Sequence, residues 1–122
     1  MADDPNPHPS LQRILDELLA VPPVEGALVL TSQGRVLASR MPEGADEREL
    51  AQGCRTLLTF AAGPIVSPDE IVRVDLRGTK GSTVLLRAGP DAILAVMTTT
   101  RTPESVSLEL SRAAAEVRRA VA

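Results

Sequence analysis

The stretch VEGALVLTSQGRVLAS, residues 24–39, decides the fold of this chain. Ala27 to Thr31 is a short apolar run, Ser32-Gln33-Gly34 supplies turn chemistry, and Arg35 to Ser39 resumes the apolar pattern. Two short runs separated by a turn that contains glycine predict a β-hairpin. Because the first run is apolar at nearly every position, both of its faces must be covered. We therefore expect this strand near the centre of a sheet.

One helix is predicted before the hairpin and another at the end of the chain. Ser10 is a good N-cap, and leucine and isoleucine recur after it on one helical face until Pro22-Pro23 stops the helix. Near the end, Thr102 is the predicted cap of a helix with Pro103 in its first position. The predicted inner face of this last helix comprises Val106, Leu110, Ala113, Ala114 and Val117.

A further helix follows the hairpin. Asp46 and, three residues later, Glu49 resemble a capping box. The helix runs to about Ala62 and ends at Gly63-Pro64, where glycine and proline together are typical of a helix end. Its apolar positions are Leu50, Cys54, Leu57, Leu58 and Ala61.

Three more strands are predicted after this second helix. Ile71 to Arg77 alternates between apolar and charged residues, which is typical of a half-exposed strand toward the edge of a sheet. A turn leads to Thr83 to Ala88, and Gly89-Pro90-Asp91 leads to Ala92 to Thr99. Ala92 to Met97 is apolar at nearly every position, so we expect it in the centre of the sheet.

The predicted order of elements is α-β-β-α-β-β-β-α. The connections are too short for a parallel crossover except through the middle helix, so the sheet should be mainly antiparallel. The fold class is α/β, arranged as an α+β sandwich. At 122 residues the chain has the size of one domain. Residues 1–9 carry three prolines without periodicity and predict a disordered leader, which leaves 10–122 for the domain.

The composition argues against several classes of partner. A net charge of −3 provides no basic field for a phosphate backbone, and the single aromatic residue, Phe60, offers no platform for stacked bases. We therefore expect no nucleic acid partner. The lone Cys54 cannot form an internal disulfide, and no apolar stretch approaches the roughly 20 residues that span a bilayer. We expect no membrane association and a cytoplasmic location.

Residues for the common catalytic chemistries are missing. The only histidine, His8, lies in the predicted leader, so neither a Ser-His-Asp nor a Cys-His arrangement can form. Gly78-Thr79-Lys80-Gly81 lacks the spacing and the following helix of a phosphate-binding loop. A transition-metal site would have to be built from carboxylates, which do not cluster. We expect no enzyme activity, no metal and no cofactor.

The order of four segments carries more specific information. They are the Leu-rich first helix, Val24 to Ala38, Glu49-Leu50-Ala51 at the start of the second helix, and Ala88 to Val96. Together they resemble the Roadblock family, which includes dynein light chains and bacterial motility regulators. The resemblance covers Ser10 to Val121. It implies a five-stranded sheet with the second helix on one face and the terminal helices on the other, and a homodimer joined through second helices and edge strands.

The second helix and the half-charged strand form the predicted dimer interface. Gly53 lies inside the helix and should cost about 1 kcal/mol relative to alanine, which close approach of a partner helix would offset. The alternative is a glycine tolerated where the helix crosses its own sheet. Cys54 is interpreted as a small buried hydrophobic residue. The predicted interface comprises Ala51, Gly53, Leu57, Ala61, Ile71, Arg73 and Asp75.

The outer positions of the second helix form the predicted partner surface, which comprises Arg48, Gln52, Arg55 and Thr59. The resemblance implies that the dimer binds and regulates a small Ras-like GTPase. Arg48 or Arg55 would then be a candidate inserted arginine, although an arginine on a helix face is usually only a solvated charge. Two alternatives remain open: a scaffold or transport adaptor that binds other Roadblock subunits or peptides, and a small-molecule sensor or enzyme with a polar-lined pocket.

Overall fold

The computed structural model describes residues 9–61, 71–100 and 103–121. Within these residues the helices and strands follow the predicted order. The helices are α1 (Pro9–Leu19), α2 (Glu47–Ala61) and α3 (Ser107–Val121), and a short 3-10 turn, Pro103–Val106, leads directly into α3. The strands are β1 (Val24–Thr31), β2 (Val36–Arg40), β3 (Arg73–Arg77), β4 (Ser82–Arg87) and β5 (Ala92–Thr98).

The five described strands form a single sheet in the order β2-β1-β5-β4-β3. Every neighbouring pair is antiparallel, which confirms both the predicted hairpin and the predicted sheet. The most apolar strand, β5, lies in the middle with β1 beside it, because strands that are apolar on both sides need neighbours and cover. The half-charged β3 is an edge strand, as predicted, and β2 is the other edge.

Helices cover both faces of the sheet. Leu94 and Val96 of β5 belong to the core beneath α1 and α3, whereas Ile93 and Ala95 belong to the core beneath α2. This confirms the sandwich with α2 on one face and the terminal helices on the other. The residues predicted for the inner face of the last helix are all buried, namely Val106, Leu110, Ala113, Ala114 and Val117.

The ends of some elements differ from the predictions. β1 begins at Val24 rather than Ala27, because Val24 already pairs with Thr98 of β5. β3 begins at Arg73 rather than Ile71, because the Ile71 side chain is buried in the core beneath α2 and breaks the alternation of the strand. These departures extend the core without changing the order of the strands.

The helix ends show both agreement and difference. The Asp46 carboxylate accepts a hydrogen bond from the backbone N–H of Glu49 at 3.1 Å, which confirms the predicted N-terminal cap of α2. Pro103 opens the 3-10 turn, and the α-helical part begins only at Ser107. α1 begins at Pro9, one residue before the predicted cap. Residues 1–8, the predicted helix end at Gly63-Pro64 and the predicted cap Thr102 lie outside the described residues.

Gly81, which precedes β4, has no room for a side chain. A Cβ at this position would lie 2.3 Å from the backbone carbonyl oxygen of Thr98 at the end of β5, and a main-chain atom in the interior of the sheet cannot easily move. We expect Gly81→Ala to lower the free energy of unfolding by roughly 1–3 kcal/mol in urea titrations. Gly78→Ala in the same turn is the control, because its Cβ would approach only the Gly81 carbonyl, at 3.4 Å. Equal losses in the two variants would contradict the steric explanation.

A candidate self-association and partner surface

α2 lies on the sheet through one buried side. Ala51, Cys54 and Leu58 on this side are at most 6% exposed and share a core with apolar residues of β1 and β5. The first turn of the helix is tied to β2, because the Ser39 hydroxyl donates a hydrogen bond to the Glu47 carboxylate.

Burial raises the pKa of the Cys54 thiol to about 11, so this thiol stays protonated at neutral pH. Cys54 is therefore a core residue, as predicted.

One flank of α2 carries apolar residues that the sheet covers only in part. Leu50, Gly53, Leu57 and Phe60 follow one another in steps of three and four residues, so they lie along one line of the helix. Leu50 and Leu57 are half-buried, Gly53 is exposed, and Phe60 is 81% exposed. We call these four residues the α2 stripe. Such a spacing is typical of the contact line between two packed helices.

Gly53 has open space around it. A Cβ built on this glycine meets no atom of the described residues within 4 Å. The helix contacts its own sheet through Ala51, Cys54 and Leu58 instead. The alternative that Gly53 is tolerated because the helix crosses its own sheet there is therefore wrong. Within the described residues, no close contact requires a glycine here, although a glycine inside a helix costs about 1 kcal/mol.

β3 leaves one backbone edge open. The carbonyl of Val72 accepts a hydrogen bond from the backbone N–H of Arg87, so Val72 faces β4. Backbone groups alternate in direction along an antiparallel strand, and the odd-numbered residues of β3 therefore point away from the sheet. The N–H and C=O groups of Arg73, Asp75 and Arg77 lie along this open edge. No described residue covers it.

One side of β3 carries a charged network. The Arg73 guanidinium donates two hydrogen bonds to the Asp75 carboxylate, from Nε to Oδ1 at 2.6 Å and from Nη2 to Oδ2 at 3.2 Å. Nη2 of Arg77 lies 3.6 Å from the same carboxylate and also donates to Glu104 in the 3-10 turn. The hydrogen bond from Arg73 is the main reason that the pKa of Asp75 is lowered. The network links β3 to the segment that leads into α3.

The other side of β3 is apolar and largely uncovered. Val74 packs partly against the core beneath α2, but Leu76 is 55% exposed and Val72 is 74% exposed. Among the described residues, four large apolar side chains are mostly exposed. Phe60 lies on α2, Leu76 on β3, Val72 directly before β3, and Leu108 on α3. Large exposed apolar side chains on one face of a domain are typical of a contact surface.

Four of the predicted interface residues lie on exposed or half-exposed parts of this surface. Gly53 and Leu57 belong to the α2 stripe, and Arg73 and Asp75 belong to the charged side of β3. Sequence reasoning missed Phe60 as a surface residue. The sequence held one signal for it. Phe60 lies three residues after Leu57, on the same side of the helix, and it is not among the apolar positions predicted for the buried face.

The other three predicted interface residues have a different placement. Ala51 and Ile71 are buried in the core of their own chain, at 2% and 8% exposure, and have little surface left for a partner. Ala51 lies on the buried side of the helix because it is three and seven residues from Cys54 and Leu58. Ala61 is the last residue of α2, and its side chain lies outside the described part of the structure.

The predicted partner residues form a separate line on α2. Arg48, Gln52, Arg55 and Thr59 are all exposed, and steps of three and four residues align them along the helix. Neither arginine makes an ion pair with a described residue. The Arg55 side chain passes the β1–β2 turn, since its Cδ lies 3.5 Å from the position of a Cβ on Gly34. We call these four residues the α2 outer line.

The described residues suggest neither a metal site nor a deep pocket on α2. Nowhere in the described part of the chain do three or more histidine, cysteine, aspartate or glutamate side chains come together to hold a metal ion. An open depression on α2 is lined by Gln52, Arg55, Thr56, Thr59 and Phe60. None of the described helices has both the length and the apolar character needed to cross a membrane.

The described residues define a five-stranded antiparallel sheet with helices on both faces and with exposed apolar side chains on α2 and beside β3. The Roadblock/LC7 domain family matches residues 11–98, and the chain belongs to this family. Roadblock/LC7 domains are generally regulatory and non-enzymatic. No curated protein gives a significant match to the sequence.

Several solved structures share the fold. The gliding protein MglB from Thermus thermophilus is 21% identical, with a TM-score of 0.77 over 97% of this chain and 93% of that one. Myxococcus xanthus MglB is 17% identical, with a TM-score of 0.80 over 98% and 92% of the two chains. A Roadblock/LC7 domain from Streptomyces avermitilis is 17% identical, with a TM-score of 0.78 over 90% and 96%. At these identities the likeness shows the fold.

Asp75→Asn tests whether the β3 ion pairs stabilise the domain. Because the pKa of Asp75 is lowered in the folded state, its contribution is fully present above the unfolded pKa of about 4 and is lost as the pH falls through the lower folded value. In urea unfolding at pH 7, the variant should be less stable than the wild type by about 0.5–1 kcal/mol. The difference should fade as the pH approaches about 2.

The matched control for this measurement is Asp16→Asn. Asp16 pairs with Arg40 at 2.6 Å, but the two side chains are 53% and 45% exposed, so the change in stability should be small. A loss for Asp75→Asn that stays constant from pH 7 to acid would contradict the electrostatic explanation.

Proposed function

We propose that the chain is a homodimeric, non-enzymatic adaptor that binds and regulates a small Ras-like GTPase. The observation that carries the proposal is the α2 stripe, a partly exposed apolar line on a helix that lies on the same face of the sheet as the exposed Val72 and Leu76. A second copy of the chain carries the same α2 stripe and the same β3 edge, and it can cover both with its own. The partner GTPase is proposed from membership of the Roadblock family.

The two contact features suit one symmetric arrangement. A two-fold axis perpendicular to the sheet lets two β3 strands pair antiparallel, and it keeps both α2 helices on the same face of the enlarged sheet. The α2 stripes then have each other as partners, and Gly53 permits close approach of the two helices. A solved structure of MglB has a tetrameric arrangement, which supports self-association as a property of such domains.

The α2 outer line supports the binding of a further protein. Its residues are exposed and polar, and Arg48 and Arg55 hold no ion pair with a described residue that a partner would have to displace. In the proposed dimer, each helix contributes one such line to the same face of the sheet. Arginine residues of this kind often contribute strongly to protein interfaces.

Gly53→Leu tests the helix contact in the dimer. A leucine at this position should force the two helices apart, because a well-packed contact absorbs the added side chain only with strain of roughly 1–3 kcal/mol. Light scattering at tens of micromolar should give the mass of two chains for the wild type and a mass shifted toward one chain for the variant. Gln52→Leu, next to Gly53 but on the α2 outer line, should remain dimeric.

The outcomes separate the parts of the proposal. A wild-type mass of one chain would rule out the dimer. A dimeric Gly53→Leu protein would rule out only the contact through the α2 stripe and would leave β3 pairing as the joint. If Gln52→Leu dissociates as readily as Gly53→Leu, the loss reflects a general effect of leucine on the helix.

Arg48→Ala and Arg55→Ala test the α2 outer line. The probe is a small Ras-like GTPase from the same genome, loaded with a non-hydrolysable GTP analogue, with affinity measured by calorimetry. Each substitution should weaken binding by about 5–30-fold, which corresponds to about 1–2 kcal/mol. Arg13→Ala, an exposed residue of α1 on the other face of the sheet, should leave the affinity unchanged.

A second readout distinguishes a binding arginine from an inserted one. Loss of GTP turnover in a variant that still binds would show that the arginine acts in phosphoryl transfer. If no Ras-like GTPase of the same genome binds the wild-type dimer, the GTPase proposal is wrong, and a scaffold for other Roadblock subunits or peptides is the next function to test.

A further inference from the structure

The charge pattern of β3 restricts how two copies of this strand can pair. When a two-fold axis runs perpendicular to the sheet, residues that face each other across the axis belong to the same side of the sheet. One residue must then lie on the axis and face its own copy. Arg73 through Arg77 are the candidates for this central residue.

Most of these positions bring like charges together. An axis at Asp75 places Asp75 opposite the partner's Asp75 and Arg73 opposite the partner's Arg77. An axis at Arg73 or at Arg77 places two guanidinium groups opposite each other. Like charges directly opposite each other destabilise an antiparallel pair.

An axis at Leu76 avoids like charges but uses little of the strand. It places Asp75 opposite the partner's Arg77, yet Val74 and Arg73 then face positions 78 and 79, which lie beyond the end of β3. The exposed Val72 has no strand residue opposite it in this register.

An axis at Val74 satisfies charge and apolar contacts together. Arg73 then lies opposite the partner's Asp75, and the exposed Val72 lies opposite the partner's exposed Leu76. Arg73 and Asp75 are also odd-numbered residues whose backbone groups point out of the edge. They can therefore exchange both backbone hydrogen bonds with the partner strand.

We infer that two copies of the chain pair through β3 with Val74 on the two-fold axis and with Arg73 of each copy against the partner's Asp75. This inference rests on the proposed dimer and adds its register. The Arg73 guanidinium has five N–H donors and uses two of them on its own Asp75, so further donors remain for the partner's carboxylate. The two side chains are 29% and 22% exposed, which leaves both accessible.

Disulfide trapping tests the register. Val74→Cys places two thiols at the axis in a pair without backbone hydrogen bonds, where Cα atoms are about 4.5 Å apart and within reach of a disulfide. Under mild oxidation this variant should form a covalent dimer, seen by mass spectrometry without reductant. Asp75→Cys and Leu76→Cys should cross-link no faster than Ser111→Cys, an exposed control on α3. The buried Cys54 stays in place in all variants.

Each result of the trapping experiment has a definite meaning. Preferential cross-linking at Asp75→Cys or Leu76→Cys would overturn the register and identify the correct one. If light scattering shows a dimer but none of the three variants cross-links above the control, the register is also wrong. A monomeric wild type would instead contradict the proposed dimer.

A charge exchange tests the same register without cross-linking. Arg73→Asp alone places a carboxylate opposite the partner's Asp75 in two symmetric contacts, so the dimer dissociation constant should rise by about tenfold or more. The double variant Arg73→Asp/Asp75→Arg restores opposite charges across the axis and should return to within about threefold of the wild type. If the axis lay at Leu76 instead, the arginine introduced at position 75 would lie opposite the partner's Arg77, and the double variant would still dimerise weakly. Failure of the double variant to recover would overturn the inference.

Discussion

The structure depends on one constraint: β1 and β5 are apolar on both sides, so neither face of the sheet can be left to water. Two helices, α1 and α3, share the cover of one face, whereas α2 is the one described helix on the other. A helix is about 10 Å wide, and neighbouring strands lie about 4.8 Å apart, so one helix cannot cover five strands. The part left uncovered lies at the β3 edge, where Leu76 is exposed.

The same shortage of cover explains why the exposed apolar groups are where they are. α2 turns Ala51, Cys54 and Leu58 toward the sheet, and the α2 stripe follows on the flank that the sheet reaches only in part. A second copy of the chain can cover both the α2 stripe and the open edge of β3, because it carries the same stripe and the same edge. In the proposed dimer, the apolar cover that is missing in one chain is supplied by another, and no additional domain is needed.

Much of the fold could be predicted from local patterns, because its signals are short-range. The turn at Ser32-Gln33-Gly34 and the fully apolar run from Ala92 determine strand pairing with little help from the rest of the chain. The candidate surface was harder, because helical periodicity identifies an apolar face but not how much of it the sheet covers. Ala51 was therefore predicted at the interface and lies in the core, and Phe60 was missed. Ile71 breaks the alternation of the strand because its side chain packs in the core beneath α2, and a local sequence pattern does not reveal such a tertiary contact.

The two edges of the sheet differ in a way that limits assembly. At β2, the Ser39 carbonyl is occupied by the Gln12 side chain at 2.9 Å and by Arg40 at 3.3 Å, so this edge offers an incoming strand fewer acceptors. A domain with two equally open edges can add copies from either side and grow into a fibre. With one edge obstructed, pairing through β3 uses up the open edge of both copies at once. The buried Gln12 side chain on α1 thus occupies an outward-facing acceptor of β2, whereas no described residue occupies the matching edge of β3.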